Sequence, residues 1–298
     1  MLRRKLLPTA STALLVLLAV LWPVHGGVPT APQWTAQAAA RFWTPERMAG
    51  SMPASGGRPA RIAQAAGGSG APGPQGAAVH FAGVPTVGVL FSVGDDLAAH
   101  YCTASVVHSP GHDLILTAAH CEPGSDIGFV PQYRAGSGRQ PYGIWAVDEV
   151  FTDPRWAPDD DAASDYDVAF AKVRPDPHGR RVEDATGANR LARTPGYRNR
   201  VTVVGYPRLG DDPADRAVTC TTTTERLGER HQLRLTCGGF PGGTSGSPWL
   251  LADGARGRTG TVIGLIGGLD GGGPDDRISY SPLFSDAVLA LYRTATRA

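Results

Sequence analysis

The sequence has little excess charge of either sign and no long apolar run. Its 28 Lys and Arg residues and 27 Asp and Glu residues leave a formal net charge of +1. Proteins that neutralise many phosphates carry a strong basic excess, so we exclude nucleic acids as partners. The most apolar stretch, residues 13–24, has about a dozen apolar residues and a proline, fewer than the roughly 20 that cross a bilayer. We therefore expect no stable membrane association once the N-terminal segment is removed.

That apolar stretch lies in a segment with the order of a secretory signal. Basic residues at positions 3–5 precede it, and small residues at positions 26 and 27 follow it. This order predicts a signal peptide over residues 1–26, with positions 36–38 as an alternative cleavage site. The mature protein is then expected to be secreted and extracellular.

Cysteine is scarce, with four residues in the chain, and neither neighbouring pair has the Cys-x-x-Cys spacing of many zinc sites. An even number of cysteines in an exported protein favours disulfides. Of the three pairings that four cysteines allow, we expect Cys102 with Cys121 and Cys220 with Cys237, because each pair brackets a short segment that can return as a hairpin. The second pair is expected to join two antiparallel strands around a turn at residues 228–229.

The sequence also has few segments with the periodicity of a long helix, and it is rich in turn-forming residues, with 39 Gly and 25 Pro. Eleven short β-rich runs recur between turn clusters from about residue 79 onwards, with no alternating helices that would indicate a parallel sheet. Only residues 285–296 have the pattern of an amphipathic helix, with Ser285 as its N-cap. The sequence therefore predicts an all-β domain, a barrel or a sandwich, over residues 79–298.

Residues 27–78 have a different composition, rich in Ala, Gly, Pro and Ser. Such a tract offers few large side chains for burial, so we expect a flexible segment. It contains one short helix signal, with Thr44 as N-cap and Pro45 at the first helical position. We interpret the tract as a pro-segment of a zymogen, removed for secretion or folding, with an inert spacer as the alternative.

Three short segments carry residues suited to nucleophilic catalysis. His120 ends the strand-like run LILTAAHC, Asp167 precedes an apolar strand in DYDVAF, and Ser245 lies in the turn GGTSGSP. Serine needs an adjacent base such as imidazole, and a carboxylate that fixes the imidazole tautomer. Asp165 is the competing acid, but only Asp167 abuts the strand. The N–H groups of Gly243 and Ser245 are candidates for an oxyanion hole, because glycine leaves that space open.

These motifs, in the order His, Asp, Ser, resemble those of the chymotrypsin-like serine peptidases, and more closely the bacterial V8-like branch related to glutamyl endopeptidases. The resemblance covers residues 79–298. It implies two six-stranded antiparallel β-barrels with a C-terminal helix, and a triad in the cleft between the barrels. It also implies hydrolysis of protein or peptide substrates through an acyl-enzyme, with no metal and no organic cofactor. We expect a monomer that is more active at pH 8 than at pH 5, because the histidine must be neutral to accept the serine proton.

The sequence departs from the family at Thr244, where the trypsin branch has the Asp that pairs with the N-terminus released by activation. That activation mechanism is therefore not expected. By the resemblance, Phe240 approaches the base of the primary specificity pocket, and one wall is formed by Ile266, Gly267 and Gly268. No acid is positioned there for an Arg or Lys substrate, and Glu-selective relatives have a histidine in place of Ile266. We expect preference for an apolar or small side chain.

Two other functions compete with this interpretation. An α/β-hydrolase needs the order Ser, Asp, His and a helix after the serine, whereas residues 248–250 have a strand pattern. A catalytically silent binding module with a peptidase-like scaffold is the second alternative, because a pocket blocked by Phe240 would leave the triad with little turnover. The other histidines, among them His108 and His112, are expected to be structural, and the acidic run at 159–161 to be a solvated loop.

Overall fold

The computed structural model describes residues 33–54, 76–121, 124–207, 212, 214–252 and 259–298. The predicted signal peptide, residues 1–26, lies outside the described residues, as do residues 55–75 of the predicted pro-segment. None of the helices described in these ranges is long and apolar enough to cross a membrane.

The described elements of the first half are α1 (Ala36–Phe42), α2 (Pro45–Ala49), β1 (Met52–Pro53), β2 (Val79–His80), β3 (Val87–Val93), β4 (Ala99–Val107), β5 (Leu114–Thr117), β6 (Ser125–Pro131), β7 (Trp145–Thr152) and β8 (Ala169–Val173). Those that follow are α3 (Val182–Thr186), β9 (Arg190–Leu191), β10 (Arg200–Gly205), β11 (Val218–Thr223), β12 (Glu225–Arg226), β13 (Gln232–Thr236), β14 (Pro248–Leu251), β15 (Thr261–Leu265), β16 (Ile278–Pro282) and α4 (Asp286–Ala295).

Six strands of the first half close into an antiparallel barrel. The order is β4-β3-β6-β7-β8-β5, and β5 pairs back with β4. Alternate side chains point inwards, as the two-residue period of a strand requires. They include the buried residues Leu90, Ala104, Ile115, Phe129 and Trp145. The closed first barrel confirms that part of the predicted fold.

The second half is built differently. Its described strands pair into a six-stranded sheet, β2-β11-β10-β14-β15-β9, and a three-stranded sheet, β12-β13-β16. Strand pairing alone does not close these described strands into the predicted second barrel. Isolated contacts link the two sheets: the Cys220–Cys237 disulfide joins β11 to the end of β13, the Leu265 N–H donates to Ser281 Oγ (2.9 Å), and the Gly267 N–H donates to the Tyr280 carbonyl (3.1 Å).

Both predicted disulfides are present, Cys102–Cys121 and Cys220–Cys237. The expectation that the second one joins paired antiparallel strands was wrong. The hairpin around the turn pairs β12 with β13, with Glu225 opposite Arg234, so the disulfide joins strands of different sheets.

The described part of the predicted flexible segment forms two helices that pack on the first barrel. Thr44 accepts a hydrogen bond from the Arg47 N–H and caps α2, as predicted. The Trp34 indole N–H donates to the Ile127 carbonyl (2.8 Å), and the buried Trp43 donates to the Asp126 carbonyl (2.7 Å). These bonds attach α1 and its flanking residues to β6, a strand that the sequence patterns did not predict.

The predicted C-terminal helix is confirmed as α4. The Ser285 side chain accepts a hydrogen bond from the Ala287 N–H and begins the helix. Val288 is buried, and the Tyr292 ring packs edge-on against Phe170 of β8 at 5.7 Å between ring centroids. The helix therefore returns the end of the chain to the first barrel.

Candidate active site

Strand register brings His120 and Asp167 to the same end of the first barrel. Strands β5 and β8 are antiparallel neighbours, and their last pair is Thr117 with Ala169. The chain leaves β5 through a short 3-10 turn that carries His120, and β8 begins two residues after Asp167. Because the strands run in opposite directions, the residues after Thr117 and before Ala169 lie beside each other.

Three N–H groups surround the Asp167 carboxylate, which is 1% exposed. The His120 ring N–H at Nδ1 donates to Oδ2 (2.6 Å), and the His120 backbone N–H donates to Oδ1 (2.8 Å). The Gly268 N–H also donates to Oδ2 (2.6 Å). With Nδ1 protonated, Nε2 is the nitrogen that can accept a proton. The competing acid, Asp165, instead accepts from the Gln232 amide (2.8 Å).

The turn that carries Ser245 is held against the first barrel by a threonine of β4. The Thr103 N–H donates to the Ser245 carbonyl (2.8 Å), and Thr103 Oγ1 donates to the Gly243 carbonyl (3.1 Å). Close packing also needs glycine at position 246, where a Cβ would lie 2.1 Å from the Thr103 carbonyl oxygen and 3.2 Å from the Ala118 nitrogen. The serine turn therefore lies against the strand end that leads to His120.

The same region is tied covalently. Cys102 precedes Thr103 and Cys121 follows His120, so one disulfide links the strand that holds the serine turn to the turn that carries the histidine. Thr117 Oγ1 also donates to the Thr103 carbonyl (2.9 Å). Neither threonine was predicted from the sequence. Thr117 is the one hydroxyl residue of the otherwise apolar β5, whereas β4 contains other polar residues and gives no such signal for Thr103.

The backbone of the predicted oxyanion loop requires glycine at position 243. Its φ is +91°, and a Cβ there would lie 2.3 Å from the Tyr101 ring. The next residue, Thr244, is buried, and its Oγ1 donates to the Pro241 carbonyl (2.7 Å). The residue at the position of the trypsin-branch Asp is therefore a threonine whose side chain is hydrogen-bonded within its own loop.

The predicted specificity residues divide into two groups. Phe240 and Ile266 are each 4% exposed and belong to the apolar core of the second half. Gly267 and Gly268 instead contact the carboxylate of Asp167: a Cβ on Gly267 would lie 2.9 Å from Oδ2, the oxygen to which the Gly268 N–H donates. Both glycines therefore pack against the carboxylate of Asp167.

A cavity beside this site lies under α2. It is lined by Met48, Tyr101, Tyr133, Tyr206 and Asp215, among other residues. Burial raises the pKa of the Asp215 carboxyl from 3.8 to about 6, and the neighbouring Asp212 carboxylate adds to the shift. The Tyr101 ring separates this cavity from Gly243.

Comparisons with solved structures show a chymotrypsin-like fold. The structure is similar to the protease Anisep from Arthrobacter nicotinovorans, with a TM-score of 0.63 and 22% identity over 74% of this chain and 99% of that chain. It is similar to the thermostable serine protease AL20 from an extremophilic microorganism, with a TM-score of 0.61 and 23% identity over 72% and 98% of the two chains. A Glu endopeptidase gives a TM-score of 0.56 and 16% identity over 76% and 99%.

Sequence comparison supplies the family. No curated protein matches the chain. The model of the trypsin-like peptidase domain matches residues 102–265, a range that begins at the first cysteine and includes all three predicted triad residues. Because this match covers more than half of the chain, the protein belongs to the trypsin-like peptidase domain family.

Proposed function

We propose that the protein is a serine endopeptidase that hydrolyses peptide bonds through an acyl-enzyme. Ser245 attacks the substrate carbonyl, His120 takes the serine proton and returns it to the leaving amine, and Asp167 orients the imidazole. The N–H groups of Gly243 and Ser245 bind the oxyanion of the tetrahedral intermediate. Water then releases the acid product from Ser245 by the same steps.

The observation that carries this proposal is the buried hydrogen bond between His120 and Asp167 beside the serine turn. A carboxylate with three N–H donors is held in place, so the imidazole that it contacts is held as well. A base with a fixed tautomer next to a serine turn is the arrangement that nucleophilic catalysis needs.

We further propose that the substrates carry an apolar or small side chain at the cleaved position. Phe240 and Ile266 are apolar core residues beside the proposed pocket, so they offer no charged group to a substrate, and no ionic partner for Arg, Lys or Glu is expected at this position. A place in the V8-like branch does not require Glu selectivity here, because Ile266 stands where the Glu-selective relatives have a histidine. A peptide-library profile dominated by Arg, Lys or Glu would refute this preference.

We also propose a maturation sequence. Residues 1–26 direct secretion, and residues 27–78 act as a pro-segment for folding or export. The packing of Trp34 and Trp43 on β6 supports a role in folding of the first barrel. The mature protein is a monomer that acts on proteins or peptides outside the cell.

The direct test is labelling with a fluorophosphonate probe, which reacts with activated serines. The purified secreted protein and its Ser245→Ala variant are incubated with the probe, and the adduct is located by mass spectrometry. We expect one adduct, on Ser245, and none in the variant. Absence of labelling in a folded protein from which the pro-segment has been removed would contradict the proposal and favour the silent binding module.

A pH profile tests the role of His120 separately. Because only neutral imidazole can accept the serine proton, kcat/KM is expected to rise between pH 5 and pH 8. A profile that is flat over this range would contradict the assignment of His120 as the base.

A further inference from the structure

The β4–β5 loop and helix α3 bring together metal-binding side chains away from the proposed active site. Two backbone hydrogen bonds hold the loop in place: the His108 N–H donates to the Asn189 carbonyl (2.8 Å), and the Glu183 N–H of α3 donates to the His112 carbonyl (3.1 Å). A turn between Ser109 and His112 folds the second histidine back towards the first, with 6.0 Å between the ring centroids. The framework that carries both imidazoles is therefore fixed by hydrogen bonds.

The donor atoms are close enough for one ion. One nitrogen from each of His108 and His112 and a carboxylate oxygen of Glu183 all lie within 4.8 Å of one another. Donors of a tetrahedral zinc ion, each about 2.0–2.1 Å from the metal, lie about 3.3 Å apart. Glu183 Oε1 is already 2.7 Å from His108 Nδ1, so a metal ion would take the place of the proton that these two atoms share in the hydrogen bond.

A second carboxylate supports the same chemistry. Asp184 Oδ1 lies 2.6 Å from His112 Nδ1, so the ring N–H at Nδ1 donates to it. This hydrogen bond leaves the lone pair at Nε2 for a metal. Metal-binding histidines commonly donate their other N–H to a carboxylate in this way, which fixes the ring and increases its basicity.

We propose that His108, His112 and Glu183 bind a zinc ion, with Asp184 as the positioning residue of His112. Two imidazoles and one carboxylate are ligands that zinc accepts, whereas calcium and magnesium prefer sets of oxygen ligands. Water completes the coordination. This site does not depend on the proposed catalytic function.

The place of the site in the fold suggests its role. His108 and His112 belong to the first barrel, whereas Glu183 lies on α3, in the connection between β8 and β9 that leads to the second half. The Tyr292 hydroxyl of α4 also donates to the His108 carbonyl (2.8 Å). A zinc ion here joins the first barrel to the connection between the two halves and stabilises the native protein by binding it in preference to the unfolded chain.

The test is calorimetric titration of zinc into the full-length protein carrying Ser245→Ala, which prevents self-digestion, after treatment with a chelator. We expect about one ion per chain with a Kd below about 10 µM. Separate substitutions His108→Ala, His112→Ala and Glu183→Gln should each weaken binding by at least about 100-fold, and Asp184→Asn by about 10-fold to 100-fold. Calcium should give no comparable heat.

Two control variants distinguish this site from other histidines. His178→Ala removes an exposed imidazole elsewhere and should leave the Kd unchanged. His120→Ala should also leave it unchanged; loss of binding in that variant would place the ion in the proposed active site and overturn the inference. Unchanged binding in the His108→Ala and His112→Ala variants, or no binding at all, would overturn it too.

Protein unfolding provides a second readout. Zinc should raise the Tm of the parent protein but not that of His112→Ala, and the two proteins should unfold at similar temperatures in chelator. A similar zinc-induced rise in both proteins would contradict the inference. If His112→Ala does not fold, Asp184→Asn gives the same test through its weaker zinc affinity.

Discussion

The two halves of the domain are closed by different interactions. In the first half, every strand of the barrel is hydrogen-bonded to two neighbours along its backbone. In the second half, the described pairings leave two sheets, and the Cys220–Cys237 disulfide and the Ser281 hydroxyl span the gaps between them. A backbone ladder spreads its stability over many bonds, whereas these gaps are crossed by a few identifiable contacts, among them the two side-chain links and the Gly267 N–H to Tyr280 carbonyl bond. A single substitution at one of these contacts should therefore have a larger and more local effect on the second half than a single substitution in the ladder has on the first barrel.

The proposed triad draws on both halves. His120 and Asp167 come from the first barrel, and Ser245 comes from the turn before β14 in the second half. Asp167 receives hydrogen bonds from both sides, from His120 and from Gly268. The first half thus carries the proposed base and its orienting acid, and the second half carries the proposed nucleophile. Substitutions that break these contacts therefore measure separately what each half contributes to activity and stability.

The largest expected effect is that of Asp167→Asn. The amide cannot stabilise the imidazolium and favours the wrong histidine tautomer, so kcat should fall by about 10⁴-fold while the fold is retained. Steady-state kinetics and circular dichroism measure the two quantities. Asp165→Asn is the matched control: two residues away, it contacts Gln232 and not His120, and it should retain nearly full activity. Equal losses in both variants would refute the assignment.

Removal of each disulfide tests the difference between the halves. The cysteines are 19 and 17 residues apart, so replacing either pair by alanine should cost about 3 kcal/mol of stability by the loop-entropy estimate. The location of the damage should differ. Without Cys220–Cys237, amide hydrogen exchange should increase first in β13; without Cys102–Cys121, kcat should fall because His120 and Thr103 are no longer linked. Identical exchange and kinetic profiles would argue against the comparison.

A smaller effect is expected from Ser281→Ala at the other gap. The substitution removes the acceptor of the buried Leu265 N–H, and an unsatisfied buried donor costs about 1–3 kcal/mol. Urea denaturation measures this loss. Ser279→Ala, a buried serine on the same strand whose side chain does not bridge the sheets in the described structure, serves as the control and should cost less. A larger loss in the control would show that the bridging bond is unimportant.

The smallest effect concerns Asp215, a second-half residue that lines the cavity under α2 together with tyrosines of both halves. Its raised pKa, about 6, means that the folded protein disfavours the ionised carboxylate. The wild-type protein should therefore lose stability as pH rises from about 4 through 6. Asp215→Asn should be more stable than wild type by about 1 kcal/mol at pH 7, allowing for solvent screening, and the difference should vanish near pH 4. Denaturation at both pH values tests this; a difference independent of pH would contradict it.

Local patterns in the sequence predicted much of this architecture. The cap at Ser285, the cap at Thr44 and the two disulfides depend on residues close to each other in the chain, and all were confirmed. Strand β6 was missed because its polar start and Gly128 break the apolar pattern. That glycine makes room for a distant residue, since a Cβ there would lie 2.6 Å from the Trp43 ring.

Those local patterns could not predict the long-range contacts. Thr103 bonds the serine turn across 140 residues, and nothing near it in the sequence indicates this partner. The gaps between the second-half sheets could not be predicted either, because strand patterns predict the strands and not which strands pair. The triad residues could be proposed because each lies in a distinctive local motif, whereas the Gly268 N–H that supports Asp167 is a backbone group without any sequence signature.

The packing of the N-terminal helices has a consequence for any processed form of the protein. Residues 34–54 are attached to the first barrel by the Trp34 and Trp43 hydrogen bonds and by pairing of β1 with β4. A single cut between residues 54 and 76 would therefore leave the short fragment bound, and the product would be a two-chain protein. It would migrate as one species on a native gel and as two masses after denaturation, with the fragment serving as a non-covalent subunit.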